Sequence, residues 1–149
     1  MRPTILIADD HRLYADALRC MLNPAYETVG IATNEGELTT LAIRFKPDLI
    51  VTDHSMPSLN GLKAVRTLLK MGLPSKFVVL TMHEEMSFVV RAFRSGASAF
   101  VLKTASSGEF TKALTVVLAG GRYLSLQFPS DLMAVLAEAG CRPINDDLR

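Results

Sequence analysis

Apolar positions along this chain fall into short continuous runs that alternate with stretches where they recur every three or four residues. The runs read as strands and the recurrences as helices. Thr4 to Ala8 predicts a first strand, and Arg12 to Leu22 a first helix, with Leu13, Ala17, Leu18, Met21 and Leu22 at helical spacing before Asn23-Pro24. Thr28 to Ala32 predicts a second strand. Glu35 to Phe45 predicts a second helix, with Leu38, Leu41, Ala42 and Phe45 on one side and Pro47 as its breaker. Asp48 to Thr52 predicts a third strand, followed by a loop from Asp53 to Gly61 and a third helix over Leu62 to Lys70 that Gly72 ends. Phe77 to Thr81, Met86 to Arg94 and Ala99 to Leu102 predict a fourth strand, a fourth helix stopped near Gly96, and a fifth strand. Ser106, three residues before Glu109, reads as a capping box. The fifth helix that it opens carries a stripe of Phe110, Ala113, Leu114, Val117 and Leu118, and Gly120-Gly121 stops it.

Five strand–helix units in sequence predict an α/β domain with a parallel sheet and helices on both faces. Runs such as Ile5–Ala8, Leu49–Val51 and Phe77–Leu80 lack polar alternation, which fits strands covered on both sides. Beyond Tyr123-Leu124 the pattern changes. Phe128-Pro129-Ser130 is a breaker, Asp131 to Ala139 has the spacing of a short helix, and Gly140 to Arg149 reads as a polar linker. The expected organisation is one domain over residues 1–125 and a linker over 126–149. A linker is expected to lead to a further domain outside this chain.

Composition narrows the function classes. Hydrophobic residues make up 49% and charged residues 21%, as in a folded domain rather than a disordered one. The net charge of +1 lacks the basic excess of a chain that grips nucleic acid through phosphates. No apolar run approaches the ~20 residues of a membrane span, and the start lacks a signal-peptide core, so a cytoplasmic protein without membrane contact is expected. Cys20 and Cys141 form neither a disulfide framework nor a metal-ligand spacing and read as ordinary reduced thiols.

The candidate chemistry lies at the strand ends, because open α/β sheets bind ligands outside the carboxyl ends of their strands. The first strand ends at Asp9 and Asp10, the third at Asp53, the fourth at Thr81 and the fifth at Lys103. Each has an ordinary explanation alone: acids favour helix N-termini, Asp suits turns, and Lys is commonly a solvated surface residue. Their joint placement on one edge is what points to a site. Three clustered carboxylates repel unless a cation lies among them, and Mg²⁺, with its preference for a few carboxylates, suits that position. An aspartate beside such an ion can act as a nucleophile toward phosphorus, with Lys103 and Thr81 as donors to the transferred oxygens. A zinc site from His11, His54 and His83 is the weaker alternative, since no two share helical i, i+4 spacing.

These segments resemble the receiver domain of two-component response regulators, and the LuxR-type (NarL/FixJ) subgroup in particular. The resemblance rests on Ile5-Leu6-Ile7-Ala8-Asp9-Asp10-His11, Asp53-His54-Ser55-Met56-Pro57 with Gly61, Leu80-Thr81-Met82-His83-Glu84, and Gly96 to Lys103, and covers residues 3 to 125. It implies a flavodoxin-like, doubly wound five-stranded sheet of order 2-1-3-4-5. It implies Asp53 as phosphoacceptor, with Mg²⁺ held by Asp9, Asp10, Asp53 and the backbone carbonyl of Ser55. Thr81 and Lys103 would sense the phosphoryl group, Phe100 would be the aromatic switch, and Ser55 and His83 would tune phosphoryl lifetime. The implied donor is a sensor histidine kinase. The chain would be a switch that takes part in its own phosphotransfer and slow autodephosphorylation, not an enzyme. A homodimer and a DNA-binding helix-turn-helix output domain outside this chain are also implied, with a natural single-domain receiver as the other option. His54, Ser58, Ala15, Ala17 and Thr104 depart from common receiver patterns without removing a group that the reaction needs.

Haloacid-dehalogenase-type phosphatases form the second reading, since they use an aspartate nucleophile, Mg²⁺, a hydroxyl and a lysine. They require a second aspartate two residues after the nucleophile, where this chain has Ser55, and their acidic pair comes late rather than first. A nucleotide-binding Rossmann unit is disfavoured, because Asp9-Asp10-His11 occupies the turn where a glycine-rich loop is needed.

Overall fold

The computed structural model of this 149-residue chain describes residues 2–53, 61–82 and 86–125, leaving out the side chains of 61 and 86–88. The elements alternate strictly: β1 (Thr4–Ala8), α1 (Arg12–Leu22), β2 (Glu27–Ala32), α2 (Glu35–Phe45), β3 (Leu49–Asp53), α3 (Gly61–Lys70), β4 (Lys76–Thr81), α4 (Met86–Ser95), β5 (Ala99–Leu102), α5 (Ser107–Leu118) and β6 (Tyr123–Leu124). The five strands and five helices predicted between residues 4 and 118 are all present, with bounds shifted by a residue or so. The shift that matters is in β3, which starts and ends one residue later than its apolar run suggests. Asp48 is drawn out of the strand, where its carboxylate accepts from the Thr4 backbone N–H at 2.8 Å and from the Thr4 hydroxyl at 3.2 Å. Asp53 is therefore the last residue of β3, fixed by strand pairing to Leu80, rather than the first residue of a loop.

All strands are parallel, in the order β2-β1-β3-β4-β5-β6. The expected five-stranded order stands, and β6 adds a sixth strand beside β5. Two residues are too few to show a period; the strand shows in its backbone, where the Tyr123 N–H donates to the Ser98 carbonyl and the Ser125 N–H to the Phe100 carbonyl, both at 3.0 Å. The buried Tyr123 hydroxyl donates to Glu109 Oε2 at 2.8 Å, and the Ser125 hydroxyl donates to Glu109 Oε1 at 3.2 Å. Burial, together with the hydrogen bond to Glu109, pushes the Tyr123 phenol well above its ordinary value. The expected capping box is half formed. Ser106 Oγ accepts from the Glu109 N–H at 3.1 Å, while the Glu109 carboxylate serves β6. At α2, Asn34 Oδ1 caps the Glu37 N–H at 2.9 Å. The Glu37 carboxylate accepts from the Thr33 hydroxyl and N–H, which holds it below the usual carboxylate value.

Strand alternation divides the core. Ile5, Ile7, Leu49, Val51, Val78, Leu80, Ala99 and Val101 pack against Ala15, Leu18 and Leu22 of α1 and Phe110, Ala113, Leu114 and Val117 of α5. The intervening residues face the other way. Leu6, Ala8, Ile50 and Phe77 meet α2 and α3, and Val79, Phe100 and Leu102 meet Leu62 of α3 and Val89, Ala92 and Phe93 of α4. This period of two holds on to the strand ends and decides which face each edge residue joins. Residues 126–149, including the predicted helix over 131–139, lie outside the described residues. No helix among the described residues is long and apolar enough to cross a membrane.

Gly96 and Gly120 close α4 and α5 with φ of +110° and +93°. A Cβ at Gly96 would lie 2.3 Å from Leu69 Cδ1, whereas one at Gly120 would meet nothing within 4 Å. Gly96→Ala therefore adds to the backbone strain a contact that the Leu69 side chain must turn away to relieve, and is expected to cost about 2 kcal/mol, against about 1 kcal/mol for Gly120→Ala. Urea unfolding of the two variants checks the order; equal losses would contradict it.

Candidate functional site at the carboxyl edge

Asp9 continues the alternation of Ile5 and Ile7, Asp53 that of Leu49 and Val51, and Lys103 that of Ala99 and Val101. All three therefore emerge on the α1 side of the sheet's carboxyl edge. Asp9 and Asp53 also flank the β1–β3 boundary, where the strand order reverses and a crevice opens.

The structure brings these groups into contact. Lys103 Nζ donates to Asp53 Oδ2 at 2.8 Å and lies 3.4 Å from Asp9 Oδ2. The side chains of Asp53, Asp9 and Lys103 are only 1%, 2% and 10% exposed, so water screens this contact weakly. The His11 backbone N–H donates to Asp9 Oδ1 at 2.8 Å and fixes that carboxylate. Asp10 sits at the rim, where His11 Nδ1 lies 3.3 Å from its Oδ1, a buried oxygen that accepts no hydrogen bond. Ligand atoms of Asp9, Asp10, His11 and Asp53 all lie within 4.8 Å of one another.

Among the described residues, three carboxylates face a single ammonium. Burial raises the Asp9 carboxyl above its ordinary value and the Asp53 charge adds to this, outweighing the His11 N–H and Lys103. For Lys103, burial acts to lower the ammonium, but the hydrogen bond to Asp53 and the charges of Asp53 and Asp9 together raise it. The donor set is mainly oxygen, the charge excess is negative, and Asp10 Oδ1 is an orphan. Those are the requirements of a hard divalent cation, and the cluster fits one.

Thr81 and Phe100 follow the opposite alternation. Thr81 ends β4 fully buried, and its carbonyl accepts the Lys103 N–H at 2.8 Å. Phe100 is fully buried with Val79, Leu102, Val89 and Phe93 on the α4 side. The edge thus has two halves, acids and ammonium toward α1, hydroxyl and aromatic ring toward α4. Ser55, His54 and His83 lie outside the described residues. Of the histidines in the zinc alternative, His11 alone is described, and it is exposed beside two aspartates.

One residue at the site escaped sequence reasoning. The Tyr14 ring lies beneath the Lys103 ammonium, 4.6 Å from Nζ to the ring centroid. The available signal was its place three residues after His11, in the first turn of a helix that starts at this edge.

Comparison with known proteins now decides between the phosphorus chemistries. The family model described as the response regulator receiver domain matches residues 5–115. The chain belongs to the response regulator receiver family. This receiver is 32% identical over 122 residues to the transcriptional regulatory protein DegU of Brevibacillus brevis, covering 80% of this chain and 52% of that protein. It is 35% identical over 130 residues to the response regulator GacA of Pseudomonas aeruginosa, covering 86% of this chain and 61% of that protein. The chain therefore spans between half and two thirds of the length of these curated relatives. A LuxR-family response regulator from Aurantimonas sp. SI85-9A1 superposes with a TM-score of 0.80 at 28% identity, covering 93% of this chain and 97% of that one. The phosphatase reading is not favoured by these findings.

Lys103→Met keeps the side chain's length and removes its charge, leaving two buried carboxylates without their cation. In metal-free protein at neutral pH it is expected to cost about 3 kcal/mol, with most of that loss restored by adding Asp53→Asn. The pH dependence follows from the two raised values. Between the unfolded and folded Asp9 values the native chain holds a proton that the unfolded chain has lost, so stability from Asp9 falls as pH rises through that window. The Lys103 contribution is complete below the unfolded lysine value and is lost as pH rises past the folded one. The Lys103→Met penalty should therefore shrink on acidification toward about pH 4, where carboxylates begin to protonate. A penalty that grows on acidification, or no rescue by Asp53→Asn, would contradict the geometry.

Proposed function

We propose that this receiver is a phosphorylation-driven switch in which Asp53 takes a phosphoryl group from a sensor histidine kinase. The observation that supports it most is the buried Lys103–Asp53 contact beside Asp9 and Asp10 at the β1–β3 boundary. An Asp53 carboxylate oxygen attacks phosphorus, the new O–P bond forms, and the N–P bond of the phosphohistidine breaks. The leaving imidazole nitrogen keeps the electron pair and takes up a proton.

Asp9, Asp10 and Asp53 would hold Mg²⁺, with the Ser55 backbone carbonyl as a further ligand. When bound, the ion offsets the carboxylate repulsion and the charge on the transferring oxygens. Lys103 already lies at the reacting carboxylate and remains to bind a phosphoryl oxygen. Thr81, at the other half of the edge, supplies a hydroxyl to another. Its movement frees room for Phe100 on the same face, so charge at Asp53 is felt on the α4 side. Ser55 and His83 tune the lifetime of the acyl phosphate. The chain acts on itself, through phosphotransfer and slow hydrolysis, and turns over no separate substrate.

Output is proposed by likeness to the relatives. DegU carries the name transcriptional regulatory protein, so transcription, through a DNA-binding domain outside these residues, is the proposed response. A homodimer in the cytoplasm completes the proposal.

Incubation with acetyl phosphate and Mg²⁺, followed by intact-mass analysis, is expected to add one phosphoryl group to the wild type and none to Asp53→Asn. Equal addition to both would end the assignment. Repeated turnover of a simple phosphate ester would favour the phosphatase instead.

A further inference from the structure

We propose that Tyr14 is a positioning residue for phosphoryl transfer, its ring face holding the Lys103 ammonium at the reacting carboxylate. The inference deepens the phosphoacceptor reading and rests on it.

An ammonium has three donor directions. Asp53 Oδ2 takes one at 2.8 Å, and Asp9 Oδ2 lies along another at 3.4 Å. The remaining side meets the Tyr14 ring, whose centroid is 4.6 Å from Nζ. The negative face of an aromatic ring attracts a cation at that range, and more strongly where water is thin. Here the lysine side chain is 10% exposed, and Tyr14 is partly buried. The contact with Nζ runs through the ring face. Burial is also what chiefly raises the Tyr14 phenol above its ordinary value, so the ring stays neutral.

The need for such a wall follows from the lysine itself. Its four-carbon stem is flexible, and the bond from its backbone N–H to the Thr81 carbonyl fixes the main chain but not the ammonium. On the α1 side the stem borders a groove of about 220 Å³ lined by Tyr14, Leu18, Leu102, Ala105 and Phe110. Without the ring, the ammonium gains room to swing away from Asp53 into that groove. Tyr14 reaches the site because α1 starts immediately after the acidic pair and packs on the same sheet face from which Asp9, Asp53 and Lys103 emerge. The carboxylates set the charge of the site, and α1 sets the position of its cation.

Tyr14→Phe retains the ring face, and Tyr14→Leu removes it while retaining apolar bulk. Acetyl phosphate is the probe: the Asp53 oxygen bonds to phosphorus, the acetyl O–P bond breaks and acetate leaves. With Mg²⁺ present, Tyr14→Phe is expected to take up phosphoryl groups within about twofold of the wild-type rate, and Tyr14→Leu about five- to tenfold more slowly. Proton NMR of the Lys103 Cε–H₂ group supplies a second readout, which reports directly whether an aromatic ring covers the lysine. An upfield ring-current shift is expected in the wild type and in Tyr14→Phe, and its loss in Tyr14→Leu. Equal rates for the leucine variant and the wild type would overturn the proposal. So would a phenylalanine variant as slow as leucine, or an unshifted Lys103 signal in the wild type. A wild type that takes up no phosphoryl group while showing the shifted signal would overturn the phosphoacceptor reading and leave the Tyr14–Lys103 contact standing.

Discussion

Crowding of carboxylates at one point of the sheet edge is the constraint around which this receiver is arranged. Asp9, Asp10 and Asp53 meet where β1 and β3 run side by side, and among the described residues the one buried ammonium that answers them comes from Lys103. A fold that selected for stability alone would not concentrate like charge there, since buried charges are costly unless fully paired. The raised Asp9 carboxyl and the unbonded Asp10 oxygen show that the balance is incomplete. Under the proposed function, that incomplete balance is what a divalent cation and a phosphoryl group, of opposite charge, would act on.

The sheet turns that local chemistry into a division of labour. Alternation sends Asp9, Asp53 and Lys103 toward α1 and α5, and Thr81 with Phe100 toward α4. The two halves meet through the backbone, because the Lys103 N–H donates to the Thr81 carbonyl across the β4–β5 pair. A change felt at Lys103 is thus one hydrogen bond away from the strand end that carries Thr81. Phe100 and Leu102 are the register partners of Val79 and Thr81, so the link to the α4 side is built into strand pairing.

Most of the architecture was legible in the sequence because the strands are short apolar runs and the helices keep a clear period. Asp9, Asp10, Asp53, Thr81 and Lys103 were legible because strand ends in a parallel sheet share an edge. What escaped depends on contacts between distant residues. β6 pairs with β5 through its backbone and is braced by the bonds of Tyr123 and Ser125 to Glu109, and no period can appear in two residues. The end of β3 shifted because Asp48 bonds to Thr4, a partner 44 positions away. Glu109 looked like half of a capping box and proved to be the anchor of a strand. Tyr14 read as one more helical residue until its ring was seen against Lys103.

If the carboxylate excess at the β1–β3 boundary is a cation site rather than a fortuitous cluster, isothermal calorimetry of Mg²⁺ into the unphosphorylated protein will show it. One ion per chain is expected, with affinity lowered at least about tenfold in Asp10→Asn, the size of loss that even outer-shell partners of a metal cause when removed. Wild-type protein that binds no Mg²⁺, or binds it as tightly as Asp10→Asn does, would contradict that expectation.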